Sequence, residues 1–189
     1  MMRTVAASKN TIVLAALCIT ASQAVMAQSA NTLRAQIKHG EYLANFGGCS
    51  DCHSPKIMTP NGPELDKNRL LSGHPANMPP PAVPAGVLAP NQWDAMSTDD
   101  MTTWVGPWGI SFSANLTPDL ATGLGGWTQE QFIKTMRTGK HLGVGRDLLP
   151  PMPWSDIGLL TDKDLKALFV YLKSLKPVVN KVPPPIQPN

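Results

Sequence analysis

Charged residues and cysteines are both scarce in this sequence. Of its 189 residues, 15% are Asp, Glu, Lys or Arg, and the 16 basic residues are nearly balanced by 13 acidic ones. No stretch concentrates positive charge, so the composition argues against a nucleic-acid partner. The chain also lacks a recognisable set of acid, base and nucleophile residues. We therefore predict no catalytic residues and do not expect the chain to be an enzyme by itself.

The first 27 residues are predicted to be a cleaved secretory signal peptide. Arg3 and Lys9 form a basic region around the start of a short apolar run, residues 11–25. Val25 and Ala27 supply the small residues that precede a cleavage site. The apolar run is shorter than the ~20 residues that a membrane-spanning helix needs, which favours cleavage over a retained anchor. The mature chain is then expected in the periplasm, without a membrane span and with 14 basic and 13 acidic residues.

Two of the three cysteines belong to a motif with defined chemistry. Residues 49–53 read Cys-Ser-Asp-Cys-His, the C-x-x-C-H pattern of covalent haem attachment. Thiols three positions apart, Cys49 and Cys52, lie about one helical turn apart, where both can form thioethers with one side of a porphyrin. His53 follows directly and can bind the iron. The pattern occurs once, so the sequence predicts one covalently bound haem c.

A C-x-x-C pair also occurs in redox dithiols and in zinc sites. A thioredoxin-like site would need a βαβ pattern around the pair, and none is evident. A zinc site would need two further ligands at short spacing, whereas His74 and His141 are isolated in the sequence. Export of the chain and the trailing His53 favour the haem over these alternatives.

The iron has a sixth position, which either a second side chain fills or a small molecule can use. The candidates in the mature chain are Met58, Met78, Met96, Met101, Met136, Met152, His39, His74 and His141. Met152 is favoured because prolines on both sides stiffen its backbone and because a thioether is a soft ligand suited to haem iron. Met58 is too close to the motif in sequence, and Met136 lies in a helical pattern that predicts a core position.

Four helical segments are predicted, at residues 31–45, 49–53, 128–138 and from Thr161 to the residues before Pro177. Thr128 and Thr161 each begin a capping pattern. Residues 55–107 are proline-rich without clear periodicity, and they either cover a haem edge or form a plain insertion. The proline-rich tail, residues 181–189, is expected to fray.

These segments resemble class I cytochromes c, in particular through the Pro-Met-Pro segment 151–153 and the last helix. The resemblance implies an all-α class I cytochrome c fold, with helices around one covalently bound haem. It implies a domain of residues 28–180 that contains 55–107 as a loop-rich insertion. In this family a small residue of the first helix meets an aromatic residue of the last, and Gly40 and Tyr171 are the candidates.

A closer resemblance is to cytochrome subunits and partners of bacterial periplasmic dehydrogenases. It rests on the segments 113–119, 122–128, 132–139 and 151–154. The resemblance implies that Asn115, Thr117 and Trp127 lie near the haem as hydrogen-bond donors or packing groups, with Trp108 in a similar role. A plain core position is the alternative for each tryptophan. The resemblance also implies a redox partner protein, either a dehydrogenase or a terminal oxidase.

Together these observations predict a periplasmic electron-transfer protein that passes single electrons through a haem with His53 and Met152 as axial ligands. One alternative is a five-coordinate haem sensor or small-molecule haem enzyme, which requires that Met152 does not bind the iron. Another is a bis-histidine cytochrome that uses His74 or His141. The absorption spectrum of the oxidised protein distinguishes these possibilities.

Overall fold

The computed structural model describes residues 9–188. The chain divides into two compact units, one that ends at Gln36 and one that begins at Ile37. Residues 1–8 of the predicted signal peptide lie outside the described residues, and the described part of the first unit is helical. Among the described residues, no helix combines the length and the apolar character that crossing a membrane requires.

The described residues form five α-helices. They are α1 Lys9–Phe46, α2 Cys49–His53, α3 Gln129–Thr138, α4 Trp154–Ile157 and α5 Asp162–Ser174, with a single 3₁₀ turn at His141–Gly143. The predicted helices are confirmed, but α1 begins far upstream of residue 31. The reason is local, because residues 9–30 are rich in alanine and contain no glycine or proline that would end a helix. The short helix α4 was not predicted.

Side-chain caps begin α3 and α5 at the predicted residues. The Thr128 hydroxyl accepts a hydrogen bond from the Gln131 amide, and the Gln131 side chain accepts one from the Thr128 amide, so the capping box is complete. Thr161 accepts from the Asp164 amide in the same way. Gly139 ends α3 in the left-handed conformation with φ 67°.

The prediction of an all-α fold was wrong for part of the chain, since five short strands accompany the helices. They are β1 Lys56–Thr59, β2 Gly62–Leu65, β3 Met96–Ser97, β4 Thr103–Gly106 and β5 Gly109–Phe112. β1 and β2 form one antiparallel hairpin, and β3, β4 and β5 form a second antiparallel sheet in that order. Each strand has at most four residues, which is too short for an alternating pattern to stand out in the sequence.

The glycines that begin β2 and β5 help to explain why hairpins form in and directly after the predicted insertion. Gly109 has φ 92° and Gly62 has φ 105°, conformations that favour glycine at the ends of tight turns. The register of the second hairpin pairs Gly106 with Gly109 and Thr103 with Phe112. The insertion is thus partly folded against the rest of its unit, and residues 71–75 within it are buried.

The core of the second unit lies mainly between α3 and α5. Its buried apolar side chains are Ala44, Leu71, Leu124, Phe132, Met136, Leu165, Leu168, Phe169 and Leu172. The Phe132 and Phe169 rings lie 5.3 Å apart between centroids at an interplanar angle of 37°. Apolar residues at helical spacing on α5 therefore face α3, as their periodicity predicts.

The proline-rich tail is not frayed where the structure describes it. The Ile110 amide donates to the Ile186 carbonyl at 2.8 Å, and the Ile186 amide donates to the Ile110 carbonyl at 2.9 Å. Gly109 permits this approach, since a β-carbon there would overlap the Ile186 carbonyl oxygen. The tail thus adds one bridge to the free edge of β5 and brings Pro185 towards the site described next.

Candidate haem site

A cleft opens beside α2 and encloses about 1100 Å³ of empty space, including solvent at its mouth. Its walls come from α2, the β4–β5 hairpin, α3 and the loop before α4. The lining residues that carry the argument below are Cys49, Cys52, His53, Trp104, Phe112, Met136, Arg146, Met152 and Pro185.

Both cysteines of the motif line this cleft as free thiols. Gly48 precedes them with φ 63°, which turns the chain sharply between α1 and α2. Burial raises the pKa of Cys49 and of Cys52 above the ordinary value of a thiol. The two thiols therefore lie on one short helix beside an apolar space, where an apolar cofactor could reach both.

His53 is held in one orientation by a backbone carbonyl. Its side chain is buried, and its Nδ1–H donates to the Ala114 carbonyl at 2.7 Å. That hydrogen bond fixes the tautomer and leaves Nε2 with a free lone pair. Burial also lowers the pKa of His53, so the imidazole is neutral at pH 7. A neutral imidazole with this orientation, in the wall of a cavity, has the properties that an iron ligand needs.

Met152 lines the same cleft from the loop between α3 and α4. Its side chain is half-buried and packs against the core cluster. The Met152 amide donates to the Leu149 carbonyl at 3.3 Å, and the Trp154 amide donates to the Met152 carbonyl at 2.9 Å. The structure thus brings Cys49, Cys52, His53 and Met152 around one cavity, although Met152 is about a hundred residues from the motif.

Most other candidates for the sixth ligand lie elsewhere in the described chain. Met58 and Met78 are 68% and 43% exposed and do not line the cleft. His74 is fully buried, but its Nδ1 is bonded to two threonine hydroxyls and its Nε2 to the Met78 carbonyl. His141 stacks edge-on against Trp127, and His39 pairs with Asp164 at 2.7 Å. Because these three histidines are engaged in other contacts, the structure does not favour a haem with two histidine ligands.

Met136 is the exception, because it belongs to the core and also lines the cleft. Its side chain is 8% exposed, as the helical periodicity predicts. The same side chain contributes to the wall beside Met152. Two thioethers therefore face one cavity, and the structure narrows the methionine candidates from six to these two.

Asn115, Thr117 and Trp127 are not among the residues that line the cleft. Asn115 is buried, and its side-chain amide donates to the Val178 carbonyl at 2.8 Å, while its Oδ1 accepts from the Thr117 hydroxyl at 2.7 Å. These bonds attach the chain after α5 to the loop after β5. Trp127 packs against the core cluster, which is the alternative considered for it. The described contacts of these three residues are structural, and their role near the haem stays a prediction.

The sequence did not single out Trp104, Phe112, Arg146 or Pro185 as site residues. Trp104 and Phe112 come from strands too short to detect, and Pro185 comes from the tail. Arg146 lies six positions before Met152, in a loop that has no pattern of its own. Proximity in sequence to the Pro-Met-Pro segment was the only signal that could have pointed to Arg146.

The donor set fits a haem better than it fits a metal ion alone. Within residues 9–188, no three His, Cys, Asp or Glu side chains are grouped so that they could hold a metal ion. Two thiols, one imidazole and one thioether around an apolar cavity instead match the attachment and ligation of a haem c. This donor set is typical of the c-type cytochromes.

Comparison with known proteins agrees with this class. The chain is 32% identical over 137 residues to the gluconate 2-dehydrogenase cytochrome c subunit of Pantoea cypripedii, covering 72% of this chain and 22% of that protein. It is 31% identical over 150 residues to the fructose dehydrogenase cytochrome subunit of Gluconobacter japonicus, covering 79% and 23%. It is 30% identical over 152 residues to the cytochrome c subunit of a quinone-dependent alcohol dehydrogenase of Gluconobacter oxydans, covering 79% and 24%. No family model matches the sequence.

The resemblance drawn from the sequence motifs is thereby confirmed: the chain is related to the cytochrome c subunits of bacterial dehydrogenases. It spans a quarter or less of the length of these relatives.

Proposed function

We propose that the protein carries single electrons through one haem c, bound by thioether bonds to Cys49 and Cys52. His53 and Met152 are the axial ligands. The observation that supports this most directly is the convergence of all four side chains on one largely apolar cleft. When bound there, the haem supplies a one-electron iron couple.

The protein's own residues contribute the surroundings of that couple. The Ala114 carbonyl orients His53 and increases the basicity of its free nitrogen. Trp104 and Phe112 from the β4–β5 hairpin supply apolar wall, which keeps water from the site. Because Trp104 lies within residues 55–107, that insertion is proposed to cover part of the haem, the first of the two roles considered for it.

The names of the relatives suggest what the electrons come from. The matched proteins are cytochrome subunits of gluconate, fructose and quinone-dependent alcohol dehydrogenases. We propose a dehydrogenase as the electron donor of this protein and a terminal oxidase or another carrier as the acceptor. Two-electron oxidation of a substrate would then belong to the partner, since one haem accepts one electron at a time.

Expression in a bacterial host that exports and matures c-type cytochromes tests the proposal. The periplasmic fraction is expected to contain a protein that begins at Gln28, with the mass of residues 28–189 plus one haem. A double variant, Cys49→Ala together with Cys52→Ala, is expected to carry no covalent haem. A wild-type protein without covalent haem, or one that keeps the uncleaved leader in the cytoplasm, would contradict the proposal.

The electronic spectrum then separates electron transfer from the alternative of an open haem. A low-spin oxidised spectrum with a weak long-wavelength band indicates thioether ligation, whereas a high-spin spectrum indicates a five-coordinate sensor or enzyme. Reduction by a purified dehydrogenase with its substrate, followed by absorbance, tests the partner. Failure of every dehydrogenase tested, with a normal spectrum, would contradict the partner and leave the haem site standing.

A further inference from the structure

Of the described residues that line the haem cleft, only Arg146 belongs to the residue types Asp, Glu, Lys and Arg. The rest of the lining consists of apolar and uncharged polar residues, together with His53. A permanent positive charge at such a position has no role in the attachment or ligation described above. Because its side chain is exposed, Arg146 can direct this charge towards a negative group in the cleft.

The backbone around Arg146 is held in place on both sides. The His141 amide donates to the Arg146 carbonyl at 2.8 Å. Lys140 and Asp147 form an isolated β-bridge, and their side chains form an ion pair with 2.6 Å between Lys140 Nζ and Asp147 Oδ1. The loop that carries Arg146 is thus closed by backbone bonds, and its Cα has a defined place at the rim.

The guanidinium of Arg146 keeps most of its hydrogen-bonding capacity unused. Its described hydrogen bond runs from Nη1 to the carbonyl of Asp147 at 3.1 Å. Among the described residues, Arg69 and Arg137 pair with carboxylates, but Arg146 forms no ion pair. The nearby Asp147 carboxylate is already bound to Lys140. A guanidinium has five N–H donors in a planar fork that matches a carboxylate.

We infer that Arg146 binds a propionate carboxylate of the haem and thereby favours the reduced state of the protein. The inference rests on the proposed haem site and adds a residue to it. A free propionate next to the iron would stabilise the oxidised form, which carries one more positive charge. The guanidinium neutralises that propionate, so the reduced form becomes easier to reach.

Reduction potentials of the purified holoprotein test this. Arg146→Gln is expected to lower the equilibrium constant for reduction against a fixed mediator by roughly tenfold at pH 7, which is 59 mV for a one-electron couple. Arg146→Lys keeps the charge and is expected to restore most of the loss. Lys163→Gln removes an exposed lysine of α5 that does not line the cleft, and it is expected to change the constant less than about twofold.

The pH profile between pH 5 and 9 provides a second readout. Without Arg146 the propionate protonates at higher pH, so the potential of R146Q is expected to fall with rising pH where the wild type is flat. Several groups around the loop also carry charge: His141, Lys140 and Asp147 within it, and Lys134, whose stem lies against Gly143. Burial and, after it, the Arg146 charge lower the pKa of His141. Arg146→Gln is therefore also measured in a His141→Gln background, where the potential should still fall with rising pH.

Each outcome has one meaning. An R146Q protein with full haem content, the potential of K163Q and a flat pH profile overturns the inference and leaves the haem site intact. A wild-type protein that binds no haem overturns the proposed function instead. Since the Arg146 side chain is exposed, the variant should fold, and its circular dichroism confirms this before the potentials are compared.

Discussion

Gly40 on α1 and Tyr171 on α5 lie against each other so closely that no side chain fits on Gly40. A β-carbon at Gly40 would come within 2.7 Å of the Tyr171 β-carbon, and it would overlap the carbonyl group of Ala167. This confirms the contact between a small and an aromatic residue that the resemblance to class I cytochromes c implies. This contact positions the end of α1. Since α1 ends at Phe46 and α2 begins at Cys49, it also positions the haem-binding motif.

Replacing Gly40 by Ala is expected to destabilise the protein by about 2 kcal/mol, because overpacking against backbone outweighs the gain in helix propensity. Denaturant unfolding of the holoprotein measures this. Gly126→Ala is the matched control, since the nearest atom to a β-carbon there is 3.8 Å away. A G40A protein as stable as G126A would show that the helices can separate without cost.

Replacing Met152 by Ala is expected to abolish the weak long-wavelength band of the oxidised protein and to lower the reduction potential, because the thioether ligand is lost. The absorption spectrum and a redox titration check this. Met136→Leu is the control from the same cleft, and this volume-conserving change should leave the band in place. Loss of the band in M136L with its retention in M152A would reverse the assignment of the two methionines.

Asn180 joins the chain after α5 to residues 72–76 through its side chain. Its Nδ2 donates to the Ser72 and His74 carbonyls at 2.7 and 2.8 Å, and its Oδ1 accepts from the Ala76 amide at 3.0 Å. Asn180→Ala leaves buried carbonyls without donors, so we expect a loss of about 1–3 kcal/mol of unfolding free energy. The exposed Asn77, replaced in the same way, should cost less than about 0.5 kcal/mol. Equal values for the two variants would exclude the anchoring role.

Asp100 should make stability depend on acid pH. Burial alone would raise its pKa, but hydrogen bonds from the Thr98 and Thr102 hydroxyls and from the Thr102 amide outweigh burial, so the folded-state pKa lies below its ordinary 3.8. A depressed folded pKa means that the carboxylate stabilises the fold above the unfolded pKa, and that this contribution is lost as pH falls through the folded pKa.

Unfolding free energies of the wild type and of Asp100→Asn, measured from pH 7 down to pH 3, check this expectation. The advantage of the wild type should be full at pH 7 and shrink below about pH 4. Asp94→Asn, at an exposed position, is the control and should follow the wild type. A D100N protein whose deficit stays constant down to pH 3 would show that folding does not lower the pKa of Asp100.

Local patterns were sufficient for much of the structure. The caps at Thr128 and Thr161, the glycine that ends α3 and the apolar spacing of α5 are contacts within a few residues, and the sequence predicted each correctly. The hairpins of the insertion were missed because four-residue strands depend on pairing with a partner, and α1 was longer than predicted because nothing in residues 9–30 ends it.

By itself the sequence determined the motif chemistry, since the thiols of Cys49 and Cys52 and the imidazole of His53 are within five residues of one another. Only the tertiary structure decided which distant side chains share that site. It placed Met152 and Arg146 at the cleft, and it placed Asn115 and Thr117 in a network that anchors the chain after α5. The physical reason is that a side chain's neighbours across a cavity depend on how helices and strands pack, and that packing is invisible in the spacing of residues along the chain.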